Sequence, residues 1–273
     1  MNKTTSADGT SIAFERIGDG GGPPVVLVAG ALCDGMATRP LAEELGRHFT
    51  VINYDRRGRR GSGDTAPYAV QREVEDLDAL IAEAGGTAAV YGHSSGAVLA
   101  LHAAASGLPI TRLVLHEPPF SLQDDEQERE RSQELLTTIT AFLARDRPVD
   151  AITAFLTPTG MPPRFIDQMS QDPQTQANAR TLPHDPFEIL SEHSRGGRTP
   201  TEQARDVTVP ALVLCGGASL PWMVDTGEQI AAALPDGRLQ ILPGQDHFVP
   251  PEVLAPALTA YLKAAPGPVM RRA

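Results

Sequence analysis

The chain has 273 residues, 41% of them apolar, and a formal charge of −11. That length suits one large α/β domain with an inserted segment, and no apolar run approaches the roughly 18 residues that a membrane helix needs. The charge disfavours binding to nucleic acid, and two cysteines, Cys33 and Cys215, do not make the disulfide framework of a small secreted domain.

The polar segment Met1 to Thr10 carries Lys3 with no apolar stretch behind it, so no secretory signal is expected and a cytoplasmic location follows by default. Alternation in Ser11 to Ile17 predicts an antiparallel strand near a sheet edge, closed by the Gly/Pro-rich stretch from Gly18 to Pro24. Val25 to Ala29, Val51 to Tyr54, Ala88 to Tyr91, Leu113 to His116 and Ala211 to Cys215 are short apolar runs without alternation, as strands covered on both faces require. Between and after them, helical spacing marks Thr38 to Arg47, Ala69 to Ala84, Ser95 to Ser106, Thr226 to Leu234 and Pro251 to Ala264. Right-handed crossovers then build a doubly wound, mostly parallel sheet with its loops of function at the carboxyl ends of the strands.

The alternation stops between Pro118 and Val209, where an acidic helical stretch (Asp124 to Glu134) gives way to prolines at 148, 158, 162, 163, 173, 183 and 186. This predicts an inserted helical lid over 118–209, with the α/β core in 1–117 and 210–265 and a flexible tail in 266–273. Lid residues Phe142, Phe155, Met161, Phe165 and Met169, and Phe120 at its start, either line a pocket or pack the lid onto the body. Reduced thiols are expected at Cys33 and Cys215, and no metal site assembles from the Cys and His spacings.

Gly92-His93-Ser94-Ser95-Gly96 fits G-x-S-x-G between an apolar strand and a helix of small residues. A serine held in so sharp a turn needs small neighbours two residues away on either side, which Gly92 and Gly96 are. The helix opening at Ser95 directs unpaired N–H groups to where an oxyanion forms, so Ser95 is expected to donate its N–H while Ser94 attacks. Of seven histidines, His247 follows the last predicted strand, Leu239 to Leu242. His93 is expected to point away from Ser94, His102 lies in a helix, and His184 and His193 lie in the lid.

These motifs, in this order, resemble the α/β-hydrolase superfamily over essentially the whole chain. The resemblance implies a serine esterase with a catalytic triad and no cofactor or metal. Val28-Ala29-Gly30-Ala31-Leu32 resembles the family's oxyanion loop, which gives Ala31 the second N–H, or Leu32 if the loop is shifted by one. Tyr54-Asp55-Arg56-Arg57-Gly58 resembles a structural turn of the family, with Arg60 where glycine is usual. The usual triad aspartate is missing, since Gly216-Gly217-Ala218-Ser219 ends on serine. Glu117, at the end of an earlier strand from which some members, including certain haloalkane dehalogenases, take their acid, is the expected substitute. Asp225 is the alternative, and Asp246 is expected to face elsewhere.

The chemistry so implied is ester hydrolysis through an acyl-enzyme: His247 takes the Ser94 proton, and the Ser95 and Ala31 N–H groups hold the oxyanion. Thioesterase, lactonase, C–C bond hydrolase and cofactor-free perhydrolase activities use the same residues and stay open. A non-catalytic small-molecule binding protein on the same fold is the alternative of another class. Leu32, Phe120 and Trp222 are candidate substrate-binding walls. A small-molecule substrate is expected, with neither nucleic acid nor membrane as partner, and oligomeric state is not readable.

Overall fold

The computed structural model describes residues 1–19, 21–120, 126–185 and 187–264. The expected tail at 266–273, residues 124 and 125 of the acidic stretch and Pro186 lie outside them. Among the described residues eight strands form one sheet: β1 (Asn2–Thr5), β2 (Ser11–Ile17), β3 (Val25–Val28), β4 (Val51–Tyr54), β5 (Ala88–His93), β6 (Ile110–His116), β7 (Ala211–Gly216) and β8 (Gly237–Leu242), in the order β1-β2-β4-β3-β5-β6-β7-β8. β1 with β2 and β2 with β4 pair antiparallel, and every later pair is parallel.

Helices α1 (Gly35–Gly46), α2 (Val70–Glu83) and α3 (Ser95–Ala105) connect the first parallel strands. Between β6 and β7 come α4 (Glu126–Leu143), α5 (Pro148–Leu156), α6 (Pro163–Gln171), α7 (Pro173–Asn178), α8 (Phe187–Leu190) and α9 (Pro200–Ala204), and α10 (Pro221–Ala233) and α11 (Pro251–Lys263) close the chain. No helix among the described residues is long and apolar enough to cross a membrane.

The apolar strands lack alternation because both faces are covered. In β3, Val26 and Val28 join a core with α2 and α3, while Val25 and Leu27 join a second core with α1 and α11. A third core belongs to the insertion, where Ile139, Ile152, Leu156 and Ile166 pack with Leu32 of the body.

Some elements differ from expectation, and β6 begins at Ile110 rather than Leu113. β1 has no apolar face and sits exposed on the sheet edge, paired by backbone alone. α1 begins at Gly35 rather than Thr38 because the Asp34 side chain accepts the Met36 N–H, 2.8 Å away, as an N-cap. α10 begins at Pro221, a proline on the first turn with no N–H to leave unpaired.

Candidate active site

Ser94 stands between β5 and α3 with φ 54° and ψ −126°. Few L-residues adopt this conformation, and holding it costs about 1–3 kcal/mol. Its glycines make it possible. A Cβ on Gly92 would overlap the Gly96 carbonyl oxygen, and one on Gly96 would overlap that of Val28. Among the described residues five non-glycine residues have positive φ, and three of them, Leu32, Ser94 and Glu117, converge here at the carboxyl ends of β3, β5 and β6.

Glu117 is fully buried. One carboxylate oxygen, Oε1, accepts the Gly216 N–H and the Ser219 hydroxyl, each at 2.6 Å, and Oε2 lies 2.6 Å from His247 Nδ1. Burial pushes the carboxyl toward the neutral form, but the hydrogen bonds from His247, Ser219 and Gly216 outweigh it and hold Glu117 below the usual glutamate range. Ser219, after β7, thus donates to a carboxylate that stands at the end of the neighbouring strand β6. Asp225 is on the exposed face of α10, makes no hydrogen bond among the described residues and stays outside the cavity.

Ser94 and His247 line one cavity, with no hydrogen bond joining them in this structure. Ala31, Leu32 and Ser95 line the same cavity, and their backbone N–H groups donate to no acceptor among the described residues. Three unpaired donors beside a strained serine form a place for negative charge to develop.

The cavity has a volume of about 800 Å³ and opens between the body and the insertion. Leu32, Phe155, Met161, Phe165, Met169 and Trp222 are among its walls. Phe142 packs inside the insertion's core instead. Phe120 corrects the expectation made for it: the positive φ of Glu117 and the two prolines that follow send it into the core beside α3 and α10. There it is 1% exposed, with its carbonyl accepting the Thr226 hydroxyl at 3.0 Å, and Pro119 lines the cavity in its place.

His93 does not point away. Its Nε2 donates to the His247 carbonyl at 3.0 Å, and its ring lies between those of His247 and His116, with centroids 4.6 and 4.8 Å away. Asp246 reaches the cavity wall, but its Oδ1 accepts the Phe248 N–H at 3.0 Å. Burial pushes the Cys33 thiol, also on the wall, up to about 11, which keeps it protonated. Both cysteines are free.

Half-buried His93 and buried His116 set a pH limit on stability. Burial, reinforced by His247, pulls His93 down to about 3, and burial with its neighbouring histidines pulls His116 well below the ordinary value. The unfolded chain protonates both near pH 6.5 and the native chain does not, so their contribution is complete above that pH and shrinks below it. The loss reaches about 1.4 kcal/mol per pH unit for each histidine held neutral. The expected result is a Tm that falls steadily from pH 7 to pH 5 and falls less in His93→Gln; a flat Tm over that range contradicts the assignment.

The turn after β4 buries Arg56, Arg57 and Arg59, so these arginines present no cationic surface. Arg56 pairs with Glu73 at 2.7 Å and with Asp185 at 2.9 Å, Arg57 pairs with Asp76 at 2.7 Å, and Arg59 pairs with Asp185 at 2.5 Å. The sequence marks this turn as structural, but its local spacing does not give the partners of these arginines, which lie 17 to 129 positions away.

The model of the alpha/beta hydrolase family matches residues 25–259. A solved alpha/beta hydrolase from Sphaerobacter thermophilus is 45% identical, with a TM-score of 0.84 over 96% of this chain and 100% of that one. The 2-(acetamidomethylene)succinate hydrolase of Mesorhizobium japonicum is 26% identical over 90% of each chain. The N-formylmaleamate deformylase of Pseudomonas putida is 37% identical over 120 residues, which span 42% of this chain and 44% of that protein.

Proposed function

The chain belongs to the alpha/beta hydrolase family, and on that premise we propose that it hydrolyses a small-molecule carboxylic ester or related acyl substrate through an acyl-enzyme on Ser94. The observation that carries this reading is buried Glu117 paired at 2.6 Å with His247, which lines one cavity with a strained serine and three residues whose N–H groups are unpaired. Glu117 holds the His247 Nδ1–H, which leaves Nε2 free to accept the Ser94 proton as Oγ attacks the substrate carbonyl. The Ser95 and Ala31 N–H groups take the oxyanion, with Leu32 as the neighbouring donor. The proton passes from His247 to the leaving group, and a water activated by His247 then attacks the acyl carbon and frees Ser94. Residues 118–209 act as a lid in this scheme, and its apolar wall accommodates the acyl or alcohol group.

A second reading, hydrolysis of an acid-bearing amide, draws on Arg164. This arginine lines the cavity and makes no ion pair among the described residues. Two relatives are named for N-formylmaleamate and 2-(acetamidomethylene)succinate, compounds that carry carboxylates.

An acyl-enzyme makes a kinetic prediction. With hydroxylamine present, p-nitrophenyl acetate and phenyl acetate are expected to give the same ratio of acetohydroxamate to acetate, because both leave the same acetyl-Ser94. Ratios that change with the leaving group contradict the intermediate.

A further inference from the structure

We propose that Arg59, held by Asp185 and Thr181 of the insertion, is a positioning residue that aims the Ala31 N–H at the reacting carbonyl oxygen; this rests on the hydrolase reading above. A peptide unit is planar and trans, so the carbonyl of one residue and the N–H of the next point in opposite directions. The Gly30 carbonyl and the Ala31 N–H belong to one such unit. Arg59 Nη1 donates to that carbonyl at 2.7 Å and also to the Cys33 carbonyl at 2.6 Å. Fixing the carbonyl on one side fixes the N–H on the other.

The rest of the loop is held in the same manner. The Ala29 carbonyl accepts from Arg56 at 3.2 Å, and the Leu32 carbonyl accepts from Asn178 of α7 at 3.1 Å. Arg59 is itself held by Asp185 at 2.5 Å and by the Thr181 hydroxyl at 3.2 Å, both in the segment between β6 and β7. The insertion therefore reaches beneath the cavity it covers and braces the loop from behind.

Stability alone does not account for this cluster. Arg56, Arg59, Glu73 and Asp185 are all buried, and apolar residues of similar size in place of such buried pairs are often neutral or stabilising. What apolar residues cannot do is hold three carbonyl oxygens in set directions.

The neighbouring Arg57 supplies the control. It is equally buried and paired with Asp76 and Asp8, yet it touches no carbonyl of the 29–33 loop. The test compares full-length wild type, Arg59→Met, Asp185→Asn and Arg57→Met in thermal stability, p-nitrophenyl acetate kinetics and affinity for an aryl trifluoromethyl ketone. Ser94 Oγ adds to that ketone carbonyl, the carbonyl π pair moves onto oxygen, and the serine proton passes to His247, which gives a stable oxyanion in the same place.

Arg59→Met is expected to lower kcat about 100-fold, with KM within about threefold and ketone affinity reduced by the same factor as kcat. Arg57→Met is expected to lose Tm while keeping kcat and ketone affinity. Asp185→Asn, which keeps the shape and loosens Arg59, is expected to lose about tenfold in both, and it decides the question should Arg59→Met not fold. Equal kcat losses in the Arg57 and Arg59 variants, or ketone affinity unchanged in a folded Arg59 or Asp185 variant, overturn the proposal. A wild-type protein that neither turns over the ester nor adds the ketone overturns the hydrolase reading itself.

Discussion

Ser94→Ala is expected to lower kcat by roughly 10⁴- to 10⁶-fold while leaving KM and Tm near their wild-type values. The size follows from the chemistry, because without Oγ no acyl-enzyme forms and only binding and oxyanion stabilisation remain. The small effect on folding follows from the structure. The Ser94 hydroxyl anchors nothing among the described residues, and alanine meets the same backbone strain that serine does at φ 54°. Steady-state kinetics with p-nitrophenyl acetate, beside a thermal melt of each protein, separates the two effects. A folded Ser94→Ala variant with wild-type turnover removes the serine from the mechanism.

The second large effect is expected of Glu117→Gln, a loss of about 10³- to 10⁴-fold in kcat. The substitution keeps shape and volume but turns one acceptor into a donor. Glutamine's oxygen can satisfy the Gly216 N–H and the Ser219 hydroxyl, which share Oε1 in the native site. Its amide group then faces His247 Nδ1 as a donor, so the imidazole is driven to the tautomer that carries its proton on Nε2, where it cannot accept from Ser94. Asp225→Asn is expected to match wild type, since that carboxylate lies on an exposed helix face. Comparing kcat of the two variants assigns the acid; loss in Asp225→Asn with retention in Glu117→Gln reverses the assignment.

Why the fold was readable and parts of the site were not comes down to which residues leave a local imprint. Val25 to Ala29 and Ala211 to Cys215 announce two-sided burial in their composition, and each is followed by a helix, so the parallel sheet could be inferred from period and order alone. The glycines flanking Ser94 were legible for the same reason, since a tight strand-to-helix turn admits little else. β1 was not, because Asn2–Thr5 has no buried face and its pairing is carried by backbone groups common to every residue. Phe120 was misplaced because its direction depends on the backbone at Glu117 and two prolines, a matter of three-dimensional path rather than of pattern. The contacts of His93 with the His247 carbonyl and of Arg59 with the Gly30 carbonyl join residues 154 and 29 positions apart, and nothing in local spacing encodes them.

The central claim is that Ser94 is the nucleophile of an acyl-transfer site, and it is tested most directly by treating the protein with a fluorophosphonate and locating the adduct by peptide mass spectrometry. A single stoichiometric adduct on Ser94, formed with complete loss of esterase activity and absent from Ser94→Ala, is the predicted result. An unlabelled, active protein, or an adduct on another residue that tracks inactivation, contradicts it.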